Sequence, residues 1–278
     1  MGGRPSVTSS SSLEPTHPIG LDLSRRPPAL HSRTDHGVAM NLSAYHHQSR
    51  DTWHSLVLVM PLFVIYQLGV LWSGGVRNGV DFMTDTLWWA AGGELSTYLA
   101  IHLGALVVMA LAVWVLRKKR RLQLRVWPAV VAESAVYALF FGAAVVGIMD
   151  ALGLSALLSI GLALGPEASV FQNLVLSIGA GLYEELVFRL LLMGGLLWVG
   201  RRALGWPGWW AALWAVVISS VIFSAVHHLG PLGDAFELGV FMYRVIAGAL
   251  LALIFYLRGF AVAVYTHALY DVLVLVIL

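Results

Sequence analysis

The chain has 278 residues, 59% of them hydrophobic and only 12% charged, with a formal net charge of +2. Soluble globular chains run near half apolar and about a quarter charged, so this composition suits a chain solvated by lipid. No cysteine occurs, which excludes disulfides, thiolate nucleophiles and Cys-type zinc sites. Basic residues form no broad face, which sets nucleic-acid binding aside.

Residues 1–50 read as a disordered polar tail. They hold the run Ser9 to Ser12, several prolines and scattered charges, too little apolar surface to offset the entropy of ordering. They also lack the apolar stretch of about 7–15 residues that marks a signal peptide. Met40-Asn41-Leu42 opens a second candidate start. Beyond the tail, apolar runs that meet the bilayer requirement of about 20 residues per helix fall at 55–72, 97–116, 126–149, 168–199, 209–226, 238–256 and 260–278. Residues 151–164 are apolar but short and interrupted by glycine, so they read as an interfacial or re-entrant eighth element. These runs are too long and continuous for barrel strands. The fold class expected is therefore all-α, a polytopic transmembrane bundle of about seven helices. It divides into the tail, a first set of spans at 51–164, and a second set at 165–278.

Positive charge collects on the cytoplasmic side of a membrane. With the tail inside, seven crossings also place Arg117 to Arg121, Arg201, Arg202 and Arg258 inside. The opposite loops carry one basic residue, Arg77. Trp88, Trp89, Trp127, Trp206, Trp209 and Trp210 lie near span ends, as an interfacial belt should. Arginine far outnumbers lysine, and with abundant alanine and glycine this points to a GC-rich bacterial genome and a plasma-membrane location.

Charged residues inside a span cost at least about 2.5–3.5 kcal/mol each and mark function by default. The fourth span carries Glu184, Glu185 and Arg189; the fifth ends on His227 and His228; the sixth carries Arg244; the seventh carries His267 and Asp271. Glu185 and Arg189 are four apart and share a helix face, while Glu184 is turned about 100° away from Glu185. His267 and Asp271 are also four apart, a spacing that lets a carboxylate orient an imidazole. One glutamate and two histidines from three helices could converge on one water or one metal. Each feature has a plainer reading beside it. Glu185–Arg189 alone suits a structural ion pair, and His54, His102 and His228 suit helix–helix hydrogen bonds. Phe223 and Tyr270 suit packing. Arg244 suits snorkelling or an ion pair with an acidic neighbour such as Glu237.

Three motifs in order carry a resemblance. They are Glu184-Glu185 followed by Arg189, Phe223 four before His227, and His267 four before Asp271. Over residues 165–275 the chain resembles the CaaX protease and bacteriocin-processing (CPBP) group, the type II CaaX prenyl endopeptidase-like intramembrane proteases. The zinc motif His-Glu-x-x-His and the stretches Gly-x-Gly-Asp and Gly-x-Ser-x-Gly are absent. The resemblance implies an intramembrane endopeptidase whose catalytic core is 165–278, with a membrane-associated peptide or protein as substrate and the bilayer as its setting. It implies Glu184 as general base, with His227 and His267 binding metal or stabilising the oxyanion. Glu184, His227 and His267 are then the candidate zinc ligands, with Glu185 and Arg189 supporting them. Asp271 stands where many members have asparagine, so it is open to protonation, metal binding or orienting His267. The other function classes are a non-catalytic membrane scaffold or chaperone on the same fold and a proton-coupled transporter. A transporter favours broken helices in both halves, whereas here the intramembrane charges lie in the second half.

Overall fold

The computed structural model describes residues 42–72, 92–94, isolated positions between 96 and 114, and 124–160, 169–229 and 233–278. Residues 1–41, most of the expected span at 97–116, the basic run 117–121, and Arg77, Trp88, Trp89 and His102 lie outside the described residues. Every regular element among the described residues is helical, and Met40–Leu278 form one compact unit.

Helix α1 (Leu42–Arg50) falls in the stretch read from sequence as tail. It folds because Tyr45 and Ser49, one turn apart, are buried against the bundle. Helix α2 (Thr52–Trp72) follows at once. The Asp51 carboxylate accepts from the His54 backbone N–H at 3.2 Å, satisfying a donor that the first turn leaves open. Helix α3 (Trp127–Ala151) starts with Pro128 in its first turn, where proline costs nothing. Within the expected re-entrant stretch, Ser155–Ile160 form a short 3-10 turn.

Helix α4 (Val170–Glu184) opens on a capping box. The Ser169 hydroxyl accepts from Gln172 N and the Gln172 side chain accepts from Ser169 N. It runs on without a break through a π-helical stretch, Glu185–Met193, a short α-turn, Gly194–Trp198, and a second π-turn, Val199–Ala203. Helix α5 (Gly208–Val226), helix α6 (Leu238–Arg258) and helix α7 (Phe260–Val272, continued by a π-turn over Leu273–Ile277) complete the bundle. Among the described residues, five helices are long and apolar enough to cross a membrane: Thr52–Val70, Trp127–Ala151, Gly208–Val226, Leu238–Arg258 and Phe260–Ile277. The continuous helix from Val170 to Ala203 is also long enough, at about 1.5 Å of rise per residue. The chain is an integral membrane helix bundle.

Helix α7 is the axis of that bundle. Its nine residues Phe260 to Ala268 are all buried, as befits a helix apolar on every side, and α2, α3, α4 and α6 surround it. The α4–α7 crossing is tight because Gly181 faces the α7 backbone. A Cβ there would sit 2.6 Å from Ala268 N, and small residues are what let membrane helices approach so closely. This crossing carries Glu184, one turn beyond Gly181, to the side of His267. The α6–α7 turn is made by Gly259, at φ 96°, where an added Cβ would also meet Ser49 O at 2.5 Å. Both the positive φ and the closeness of α1 require glycine there.

Among the described residues, Arg50, Arg201 and Arg258 gather at one end. Arg50 Nη2 donates to Tyr256 O at 3.2 Å and Arg201 Nη2 to the Tyr256 hydroxyl at 3.4 Å. Arg258 forks onto Glu133 of α3, with Nη2 to Oε2 at 2.8 Å. Tyr137 Oη donates to Glu133 Oε1 at 2.8 Å, and Tyr45 Oη donates to Glu133 Oε2. Burial and the neighbouring Glu133 carboxylate raise the Tyr45 phenol above its ordinary range, so it stays a donor. Glu133 escaped the sequence reading, although Glu133 and Tyr137 are one turn apart in an apolar span.

Candidate active site

The structure brings Glu184, Glu185, Arg189, His227, His267 and Asp271 into one cluster. Glu185 opens the π-helical stretch of α4, a local geometry often found at functional sites. Its side chain and that of Arg189 are almost wholly buried, with Nε 3.2 Å from Oε2. The other oxygen, Oε1, lies 2.9 Å from His267 Nδ1. An ionised carboxylate only accepts hydrogen bonds, so His267 Nδ1 carries a proton and Nε2 is the nitrogen presented to the site.

His227 reaches the same state by another route. It caps the C-terminal end of α5, and its Nδ1 is 2.7 Å from Phe223 O, one turn back. A carbonyl is again an obligatory acceptor, so Nδ1 donates and Nε2 faces inward. Glu184 lies between the two rings, with Oε1 3.9 Å from His227 Nε2 and Oε2 3.8 Å from His267 Nε2. Asp271 Oδ2 is 3.5 Å from His267 Nε2. The sequence spacing suggested Asp271 as the carboxylate that orients His267. In the structure Glu185 holds the outer nitrogen, while Asp271 and Glu184 approach the inner one.

Phe223, read from sequence as packing, does pack, and its neighbours are the site itself. The Arg189 guanidinium lies 4.4 Å from the Phe223 ring centroid, a cation–π distance. The same ring is 4.8 Å from His227 and 6.3 Å from His267, centroid to centroid. Arg189 Nη2 also donates to Gly248 O of α6 at 3.3 Å. Gly248 was not legible as a site neighbour. Its one hint is a glycine in an apolar helix, here set against Ser220 and Phe223 of α5.

The remaining polar residues sort themselves around this centre. Arg244 pairs with Asp234 at 2.5 Å rather than with Glu237, whose Oε2 is buried without a hydrogen-bond partner. The exposed 233–237 segment supplies the nearer carboxylate. His54 Nδ1 lies 2.9 Å from Asp51 Oδ2 within its own helix start. His228 Nδ1 lies 3.2 Å from Asp234 O, and its ring packs on Phe236 and Phe241. Tyr270 shares a hydroxyl–hydroxyl hydrogen bond with Tyr243 and packs on Phe141.

Glu184, His227 and His267 were the candidate zinc ligands. Two donors on a tetrahedral zinc with bonds of about 2.0–2.1 Å stand about 3.4 Å apart. Glu184 is 3.9 and 3.8 Å from the two imidazoles, and among the described residues no group of three His, Asp or Glu side chains is placed to hold a metal ion. As they stand, these three side chains do not fit a metal centre.

No curated protein and no solved structure matches the chain. The family comparison does find a match, over residues 166–273, to the model described as type II CAAX prenyl endopeptidase Rce1-like. The matched segment runs from just before α4 to the end of α7 and holds all six clustered side chains. Over that segment the chain is similar to the type II CAAX prenyl endopeptidase Rce1-like family, in line with the resemblance that the three motifs carry.

Proposed function

We propose that the protein is an intramembrane endopeptidase that hydrolyses a peptide bond of a membrane-associated peptide or protein. One observation carries the reading: acceptors face acceptors. Two imidazole Nε2 atoms, with their outer nitrogens already committed as donors, confront the Glu184 and Asp271 carboxylates at 3.5–3.9 Å. Such a constellation calls for a donor at its centre, and a water molecule is the donor that hydrolysis needs. Buried polar groups in a purely structural role find their partners instead.

In this mechanism Glu184 is the general base. Its carboxylate takes a proton from water while the water oxygen bonds to the scissile carbonyl carbon. His227, fixed by the Phe223 carbonyl, accepts the water's other hydrogen bond through Nε2 and sets its direction. His267 keeps Nδ1 donating to Glu185 and, on taking up a proton from solvent at Nε2 as the substrate binds, donates from Nε2 to the developing oxyanion; that proton returns to solvent when the intermediate collapses. The tetrahedral intermediate then collapses, the C–N bond breaks, and the Glu184 proton passes to the leaving nitrogen. Glu185 and Arg189 hold the His267 ring and the α4 backbone in register. No step is routed through a metal. The basic end at Arg50, Arg201 and Arg258 is assigned to the cytoplasm of a bacterial plasma membrane by the positive-inside rule.

The test uses the purified protein in proteoliposomes, a library of N-acylated peptides and ¹⁸O-labelled water. Cleavage should create new C-termini that carry the label, and a chelator should leave the rate unchanged. An absence of new C-termini favours the non-catalytic scaffold. Loss of activity on chelation with recovery on adding zinc would restore the metalloprotease reading, with Glu184, His227 and His267 moving together to ligate.

A further inference from the structure

Helices α5 and α6 pack against each other, and their contacts fix a register. Gly248 of α6 lies against Phe223 of α5, with an added Cβ 3.1 Å from the ring. One turn further from the basic end on both helices, Phe223 is succeeded by His227 and Gly248 by Arg244. The antiparallel pairing therefore sets Arg244 at the level of His227, at the mouth of the cluster. The 233–237 segment ties the two together, since Asp234 N donates to His227 O at 2.9 Å while Asp234 Oδ2 accepts from Arg244 Nη2 at 2.5 Å. None of the three sequence motifs contains Arg244. A second nitrogen, Nη1, is buried without a hydrogen-bond partner. Its partner Asp234 is half exposed, whereas Arg244 is 23% exposed, so the pair can exchange with an anion arriving from solution.

Charge gives the exchange a purpose. Glu184 and Asp271 repel any carboxylate that approaches the inner face of the histidines, while Arg189, beside Glu185 and Gly248, is closed off from solution at 1% exposure. An anionic substrate needs a cation at the mouth, and the register puts one there. We propose that Arg244 is the substrate-binding residue for a carboxylate lying a few residues to the leaving side of the scissile bond, with Asp234 as its resting stand-in. The carboxylate belongs either to a peptide C-terminus or to an acidic side chain. The inference rests on the endopeptidase reading.

Three N-acylated peptide libraries distinguish the cases in proteoliposomes. One lacks Asp and Glu and ends in a free carboxylate, one lacks them and ends in an amide, and one contains them and ends in an amide. Wild-type protein should cleave a carboxylate-bearing library about 10- to 100-fold faster at low concentration, the scale of one charge-assisted contact. Preference for the first library identifies a C-terminus, and preference for the third an acidic side chain. Arg244→Gln should abolish the preference through KM, and Arg244→Lys should restore part of it. Asp234→Asn, which frees Arg244, should lower KM for the preferred library. Equal cleavage of all three libraries by wild-type protein overturns the assignment while leaving the endopeptidase reading standing. So does a preference that survives in Arg244→Gln. If no library is cleaved, the endopeptidase reading fails and this inference falls with it.

Discussion

Two polar clusters among the described residues of this apolar bundle differ in how completely they are satisfied. At the basic end, Glu133 accepts from Tyr45, Tyr137 and a forked Arg258, so both of its oxygens are in use. In the second half, Glu184 meets two imidazole nitrogens and, among the described residues, has no partner closer than 3.8 Å. Both clusters carry the desolvation cost of charge near lipid. In the first, donors match acceptors and the cluster braces α1, α3 and α6. On the inner face of the second, where Glu184 and Asp271 meet the two imidazole Nε2 atoms, acceptors outnumber donors, which is a poor brace and a good seat for a reacting water. Hydrogen-bond saturation, rather than the presence of charge, separates a structural ion pair from a candidate site.

The comparison can be pressed from both sides. The largest effect is expected at the unsaturated cluster. His267→Ala removes the ring that links Glu185 to the inner face, and cleavage of an acylated peptide should fall by about 10²–10⁴-fold, the range for a lost acid–base partner. Helix content and membrane insertion, followed by circular dichroism and flotation, should persist. If the rate stays within a few-fold of wild type, His267 has no part in the chemistry.

The saturated cluster should respond in the opposite sense. Arg258→Ala leaves the Glu133 carboxylate uncompensated at a site only 17% exposed, which should cost about 3 kcal/mol of stability. Replacing Glu133 and Arg258 together by leucine should recover most of that loss, because no charge is then stranded. Thermal unfolding of the three variants in one detergent checks both statements. Activity per folded molecule should change little in any of them, and a catalytic defect larger than the stability defect would blur the distinction between the clusters.

Glu185→Gln probes the border between the two kinds. It keeps the size of the side chain but leaves Arg189 without its carboxylate, so a stability loss of about 2 kcal/mol is expected. An amide can still accept from His267 Nδ1 through its oxygen. The rate should therefore fall by only about 10-fold, well short of His267→Ala. Equal losses in the two variants would show that the charge on Glu185, and not its geometry, supports the site.

Much of this was legible before any coordinates. Apolar runs placed α2, α3 and α5 to α7 within a few residues, because a bilayer allows little choice of element. The six clustered residues were legible because each is expensive inside a span. Their connectivity was not. The spacing of His267 and Asp271 suggested one orienting carboxylate, but the close α4–α7 crossing at Gly181 brings Glu185 to the outer nitrogen first. Helix α1 was missed because nine polar-looking residues hide two that fit the bundle, Tyr45 and Ser49. The π-helical stretch after Glu184 leaves no periodic trace in sequence, and Arg244 and Gly248 acquire meaning only through the register between α5 and α6.

The measurement that bears most directly on the central claim compares Glu184→Gln with Glu133→Gln, purified side by side and assayed on the same acylated peptide. Each change removes one charge and preserves shape. The account predicts that Glu184→Gln loses at least about 10²-fold in rate with its melting temperature unchanged or raised, while Glu133→Gln melts earlier and still cleaves once folded. If Glu184→Gln cleaves at a near-normal rate, or loses activity only in step with its stability, Glu184 is not the base and the unsaturated cluster is not a hydrolytic site.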